Sequence, residues 1–172
     1  MSWTAETVWE LDWLWGLPLI VMNVVIHAVG LMLIYREVIR IMNIAVVRRR
    51  FFPMFVVVMA SVALLATVLH GLEATLWALA YRLLNALPDN GSAMLYSLGA
   101  ITTYGHANLF LKERWQLMGA LEALNGTLLF GLTTAFLFAM IREVWDIERR
   151  QRRQAHRRGS VKRTLDGAAE RG

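Results

Sequence analysis

The chain has no cysteine. Disulfides, thiolate metal sites and cysteine nucleophiles are therefore excluded, and no compartment is implied. Charge is scarce and segregated: Asp, Glu, Lys and Arg make up 18% of the 172 residues, against 57% hydrophobic residues. Trp13 to Tyr35 carries no charge, Phe51 to Tyr81 carries only Glu73, and Trp115 to Ile141 carries only Glu122. A helix needs about 20 apolar residues to cross the hydrocarbon core, and each run is long enough. The N-terminus lacks a basic stretch followed by a small-residue cleavage site, so the first run is expected to be a retained span rather than a signal peptide. No catalytic constellation of an enzyme stands out, and no histidine spacing matches a known metal-ligand set.

Charge between the runs sets the expected topology. Residues 1–12 hold Glu6, Glu10 and Asp12 and no Lys or Arg. The segment 36–52 holds Arg36, Arg40, Arg48, Arg49 and Arg50 against Glu37, and the tail from Arg142 is arginine-rich. Cytoplasmic flanks collect Lys and Arg. The expectation is a multi-pass protein of the cell (inner) membrane. Its extracytoplasmic N-terminus spans 1–12, a transmembrane helix 13–35, a basic cytoplasmic loop 36–52 and a basic cytoplasmic tail 146–172. Basic residues near the surface attract anionic lipid headgroups at about 1 kcal/mol each. Nucleic acid is not an expected partner.

Between the second and third runs lies a weakly polar segment too short to cross. Leu87-Pro88-Asp89-Asn90-Gly91-Ser92 is a break, with turn formers at successive positions. Ser92 is placed to cap a short helix over 93–102. That helix would reach about 15 Å, half the hydrocarbon thickness, with the C-terminal end of its dipole favouring a cation. The chain then returns as 103–108. Elsewhere, Gly16-Leu17-Pro18 is expected to kink or break the first turn of the first span. Pro53 suits the first turn of the second. Trp77 and Tyr81 suit an interfacial aromatic belt. After Gly159 the tail reads as disordered.

The order of outer helix, turn, short helix, Thr102-Thr103-Tyr104-Gly105 and inner helix resembles the pore module of the two-transmembrane potassium-channel superfamily. Leu95-Tyr96-Ser97 and Trp115 to Gly126 are similar to the flanks in bacterial members. The resemblance covers about Met54 to Trp145. It implies an all-α integral membrane protein with three transmembrane helices, a re-entrant pore helix and a filter-like loop. It also implies a homotetramer, since one copy of a pore loop encloses nothing. The pore module is then 53–145: outer helix 53–87, pore helix 93–102, filter-like loop 103–108, inner helix 115–145. The family filter reads Thr-Val-Gly-Tyr-Gly-Asp after a further Thr. Here Thr102, Thr103 and Gly105 match, while Tyr104, His106, Ala107 and Asn108 differ. A potassium filter aims backbone carbonyls at the pore axis, which favours glycine. Ala107 in place of the second glycine would cost about 1–2 kcal/mol in left-handed geometry. The implied function is passive monovalent cation permeation, K+ or a relative, with altered selectivity.

On the inner helix, Glu122 and Asn125 share a face. Glu122 is expected either to act in permeation, to bond the filter backbone, or to pair with Arg114. Gly126 and Gly131 resemble the family's hinge or serve close packing. Thr133 and Thr134 either line a cavity or bond back to their own helix. His106 is either a titratable group at the mouth or a brace for the short helix. Two other functions compete. One is a non-conducting subunit that keeps the channel scaffold. The other is a haem or metal membrane protein using His27, His70 and His106; no resident cofactor is otherwise expected.

Overall fold

The computed structural model describes the backbone of residues 5–47 and 51–169, and among these the chain is all-helical. Helix α1 runs over Ala5–Val47, α2 over Phe51–Leu83, α3 over Asn90–Ile101, and α4 over Gln116–Ala169, entered through a 3-10 turn at Glu113–Trp115. Three segments are long and apolar enough to cross a membrane: Glu10–Ile44, Phe52–Leu83 and Glu113–Arg150. By length and composition this is a multi-pass membrane protein.

The helices outrun the apolar runs. Residues 36–47 were expected in a loop but continue α1. Their Arg, Glu, Ile and Met favour helix, and Glu37 lies 3.8 Å from Arg40 one turn on. Arg48, Arg49 and Arg50 of the expected basic loop lie outside the described residues. Likewise α4 continues to Ala169, through the tail expected to lose structure after Gly159. Without proline a single glycine costs only about 1 kcal/mol and does not stop a helix. Pro18 sits inside α1 and does not interrupt it. The second helix ends at Leu83, not at residue 87. Asn85 there adopts a left-handed φ of 52°, and its neighbour Ala86 donates its N–H to Tyr81 O at 2.8 Å.

Helix α1 packs against both α2 and α4, and α3 also packs against both. Leu121 beside Gly16, with Met140 and Val144 beside Val38 and Met42, makes α4 parallel to α1. Leu69 beside Gly30, with Val58 and Val62 beside Val38 and Met42, makes α2 antiparallel to it. Two apolar clusters form. One gathers Trp77, Tyr81, Trp115, Met118 and Leu121 near α3. The other gathers Val38, Met42, Val58, Val62, Met140 and Val144 at the opposite end. Trp77 and Tyr81 are fully buried there rather than forming the expected interfacial belt. Between and beside the clusters lie buried polar side chains: Asn23, His27, Glu73, Ser97, Glu122, Asn125 and Thr133.

Candidate functional site

The short helix α3 starts one turn earlier than expected. Asp89, not Ser92, is its N-cap: its Oδ1 accepts the Ser92 N–H at 2.9 Å, and its Oδ2 accepts the Ser92 hydroxyl at 2.6 Å. These two bonds favour the carboxylate and hold the Asp89 pKa below its ordinary value. At 12 residues α3 is about 18 Å long, too short to cross a bilayer. Its last residue, Ile101, is buried with Ala74 and Leu129, positions well inside α2 and α4.

Two polar contacts of Ser97 pin α3 in place, and a third joins the helices on either side of it. Ser97 Oγ lies 2.6 Å from Ala74 O and also against Glu122 Oε1, while Tyr81 donates its hydroxyl to Glu122 Oε2 at 2.6 Å. A backbone carbonyl only accepts, and Ser97 has one hydroxyl hydrogen. A proton on Glu122 completes the set, so that Ser97 serves Ala74 O and Glu122 serves Ser97. Glu122 therefore joins α2, α3 and α4. Among its contacts there is neither the filter backbone nor Arg114, whose guanidinium lies over the Trp115 ring. Asn125, one turn on, is buried, and its amide has no hydrogen-bond partner among the described residues. Gly126 is where α3 meets α4: a Cβ there would lie 2.7 Å from the Ile101 carbonyl carbon. The close-packing role expected of small residues thus belongs to Gly126. Gly131 faces open space, and Thr134 is exposed and bonds back to Phe130 O at 2.9 Å.

The seven residues 102–108 form one turn at the end of α3. Thr102 caps the helix, with its hydroxyl on Leu98 O at 2.6 Å. Thr103 follows at φ 58°, and its N–H reaches Ala100 O at 2.9 Å. That is the position after a helix end where glycine is the usual residue. A β-branched residue there is an outlier costing about 1–3 kcal/mol, so helix termination alone does not explain it. Strain falls on Thr103, whereas Ala107 has no positive φ. Gly105, at φ 76°, returns its N–H to Gly99 O at 3.1 Å, folding the loop back on α3. His106 donates Nε2–H to Tyr96 O at 2.8 Å and stacks on the Tyr96 ring at 5.1 Å. Its ring occupies the notch at Gly99, where any side chain would collide with it. Thr103, Tyr104, Gly105, Ala107 and Asn108 are exposed, Tyr104 at 89%. A groove of about 350 Å³ runs from Thr103, Gly105 and His106 to Phe110, Gly119 and Ala123.

His27, His70 and His106 do not gather at one place. His27 and His70 meet, ring centres 5.1 Å apart, but His106 is held on α3 by Tyr96. His27, His70 and Glu73 bring their nitrogen and oxygen atoms within 4.8 Å of one another. His27 Nδ1 lies 2.8 Å from Glu73 Oε1, Thr133 Oγ1 lies 3.0 Å from His27 Nε2 and 3.1 Å from His70 Nε2, and the Thr133 hydroxyl also bonds back to Leu129 O at 3.1 Å. At the start of α4, the Leu117 N–H donates to the buried Asp12 carboxylate of α1. Residue-by-residue reading singled out none of Ser97, Tyr81 and Asp12 as polar anchors. The available signal was a polar side chain within an apolar stretch on each of two or three helices.

No family model, curated protein or solved structure matches the chain.

Proposed function

We propose that the chain is a potassium-channel-like, pore-forming subunit for passive permeation of monovalent cations. The observation that carries the reading is α3 with its turn. A helix too short to cross ends deep between two long apolar helices and leaves Thr103, Tyr104 and Gly105 exposed. Backbone polar groups at such depth need protein or water for partners, since lipid offers none. A re-entrant pore helix followed by a pore-lining loop supplies that setting. The strained Thr103 and left-handed Gly105 support it further, because strain that helix termination does not require gathers at functional turns. A single loop encloses no path, so the functional unit is a homotetramer about the Thr102–Asn108 turns, with Glu122 and Gly126 seating α3. The acidic N-terminus lies outside and the basic tail inside, against anionic headgroups. Selectivity departs from that of potassium channels, because Tyr104, His106, Ala107 and Asn108 replace their filter residues.

Flux from liposomes loaded with K+ or Na+ tests the reading. Purified protein is expected to release at least one of them, and Gly105→Ala, which forces a side chain onto φ 76°, is expected to reduce the rate. Absence of flux for K+, Na+ and protons would sink it. One observation favours a second reading, a non-conducting subunit with the channel scaffold. His106 is locked onto α3 by a hydrogen bond and a ring stack, and Gly105 is tied to Gly99. A stable complex with another membrane protein, together with absent flux, would select that reading.

A further inference from the structure

A second polar cluster lies in the middle of the spans, away from α3. His27 is the central residue of the span Glu10–Ile44. Its Nδ1 lies 2.8 Å from Glu73 Oε1. His70, one turn before Glu73 on α2, brings its Nδ1 to 3.1 Å from Glu73 Oε2. That second approach lacks hydrogen-bond geometry: Glu73 Oε2 is buried and has no hydrogen-bond partner among the described residues. The far nitrogens, Nε2 of each ring, lie 3.0 and 3.1 Å from one oxygen, Thr133 Oγ1 of α4. Thr133 in turn donates its hydroxyl to Leu129 O at 3.1 Å.

The Thr133 hydroxyl fixes which nitrogens carry hydrogen. Its one hydrogen goes to Leu129 O, which leaves two lone pairs, and an Nε2–H from each histidine fills both. A neutral imidazole with hydrogen on Nε2 has a bare lone pair on Nδ1. Two nitrogen lone pairs thus converge on the Glu73 carboxylate, which only accepts. A single proton, on Glu73 or on one imidazole, serves one of the two contacts and leaves the other with facing lone pairs. Protons on both Nδ1 atoms make two imidazolium rings 5.1 Å apart. One dication replaces both protons at the same total charge, and it takes all three side chains as ligands.

We propose that His27, His70 and Glu73 bind a divalent first-row transition metal, Zn2+ or a close relative, with Thr133 as the positioning residue that holds both imidazoles in the ligating tautomer. One nitrogen from each histidine and one oxygen of Glu73 lie within 4.8 Å of one another. Ligands at about 2.0–2.1 Å from zinc stand about 3.4 Å apart at the corners of a tetrahedron, so the 2.8 and 3.1 Å contacts need open by only about 0.3–0.6 Å. Two imidazoles and one carboxylate form a zinc ligand set that leaves a fourth position to water. The same set disfavours Mg2+ and Ca2+, which take oxygen ligands. An imidazole that ligates through one nitrogen and donates its other N–H to an oxygen is the usual arrangement around a bound metal. His70 is 25% exposed where His27 and Glu73 are fully buried, so an ion enters past His70. The metal joins α1 to α2 and, through Thr133, to α4. This site stands apart from the permeation reading, since a chain that conducts nothing can still hold the metal.

The test is Zn2+ binding to the full-length protein, purified without a histidine tag, stripped with a chelator and reloaded. The chain has four histidines and no cysteine, so the double variant His106→Gln/His156→Gln keeps His27 and His70 as its only imidazoles. It is expected to retain one Zn2+ per chain after dialysis, and zinc X-ray absorption is expected to show two imidazoles and oxygen for the remaining ligands. In that background His70→Gln and Glu73→Gln are each expected to lose stoichiometric binding. Thr133→Val is expected to weaken it by about 10–100-fold, as loss of an outer hydrogen-bond partner does, and Thr133→Ser to restore it. Zn2+ is also expected to raise the SDS-unfolding midpoint of the double variant and to leave that of Glu73→Gln unmoved. The proposal is overturned if the double variant retains no zinc, or binds it with fewer than two imidazoles; neither result depends on a ligand variant that folds. It is equally overturned if folded Glu73→Gln or His70→Gln binds as tightly as the double variant, or if Thr133→Val does.

Discussion

Gly126 and Gly131 look alike in the sequence, two glycines in one apolar helix, yet their surroundings demand opposite outcomes on replacement by alanine. A Cβ at Gly126 would stand 2.7 Å from the Ile101 carbonyl carbon and 2.8 Å from Ile101 Cα, and nearer still to the carbonyl oxygen. Ordinary contact begins at 3.4 Å, so the carbonyl carbon alone must retreat by about 0.7 Å. The obstacle is backbone at the last residue of α3 and has no rotamer to turn. Overpacking of this kind costs about 1–3 kcal/mol. A Cβ at Gly131 would meet nothing within 4 Å, so Gly131→Ala brings only the helix-propensity gain, up to about 1 kcal/mol. Unfolding in SDS titrations from bicelles, followed by the fluorescence of the seven tryptophans, ranks the variants. The expected order of stability is Gly131→Ala, wild type, Gly126→Ala, with the outer two separated by at least about 1 kcal/mol. Because α3 carries the Thr103–His106 turn, Gly126→Ala is also expected to lower any cation flux more than Gly131→Ala does. Equal stability of the two variants, or a more stable Gly126→Ala, would refute the placement of α3 against α4.

Three further outcomes are expected. Glu122→Gln, whose amide both donates and accepts, is expected to keep the Tyr81 and Ser97 contacts at small cost. Glu122→Leu strands the Tyr81 hydroxyl and is expected to lose about 1–3 kcal/mol in the same assay; equal losses would contradict the hydrogen count around Glu122. Asp12→Ala removes the acceptor of the Leu117 N–H at the start of α4, an expected loss of about 0.5–2 kcal/mol that Asp12→Asn partly restores. Asp89 has a depressed pKa in the folded state, so its cap contributes fully above the ordinary aspartate value of about 3.9 and fades as pH falls below it. Protection factors of the Ser92 and Ala93 amides are expected to fall in that acid range, and to be low at every pH in Asp89→Ala.

Hydropathy marked the three helices long and apolar enough to cross a membrane and the short polar interruption before α3. It did not mark where helices end. The segment 36–47 and the arginine-rich tail are polar yet helix-forming, and nothing in them breaks a helix. Asp89 and Ser92 are both good caps three residues apart, and composition alone does not choose between them. Trp77 and Tyr81 have the composition of a belt. The rotation of α2 toward Glu122 buries them, and that rotation is a tertiary fact. The turn at Thr102–His106 was visible as glycine and threonine after a short helix. The strain on Thr103 rather than Ala107 was not, because φ follows from how Gly105 folds back onto Gly99. Likewise His70 and Glu73 advertise a shared face through their spacing, but only helix register brings His27 and Thr133 to them.

Since the chain has no cysteine, single thiols can be introduced without altering a background. Liposomes carrying Thr103→Cys are the most direct probe of the permeation reading, with Val57→Cys, exposed on the apolar surface of α2, as control. A water-soluble cationic thiol reagent is expected to suppress K+ or Na+ flux through Thr103→Cys and to leave Val57→Cys unchanged. Undiminished flux after complete modification of Thr103→Cys, or no flux from the unmodified protein, would contradict a pore lined by the turn at the end of α3.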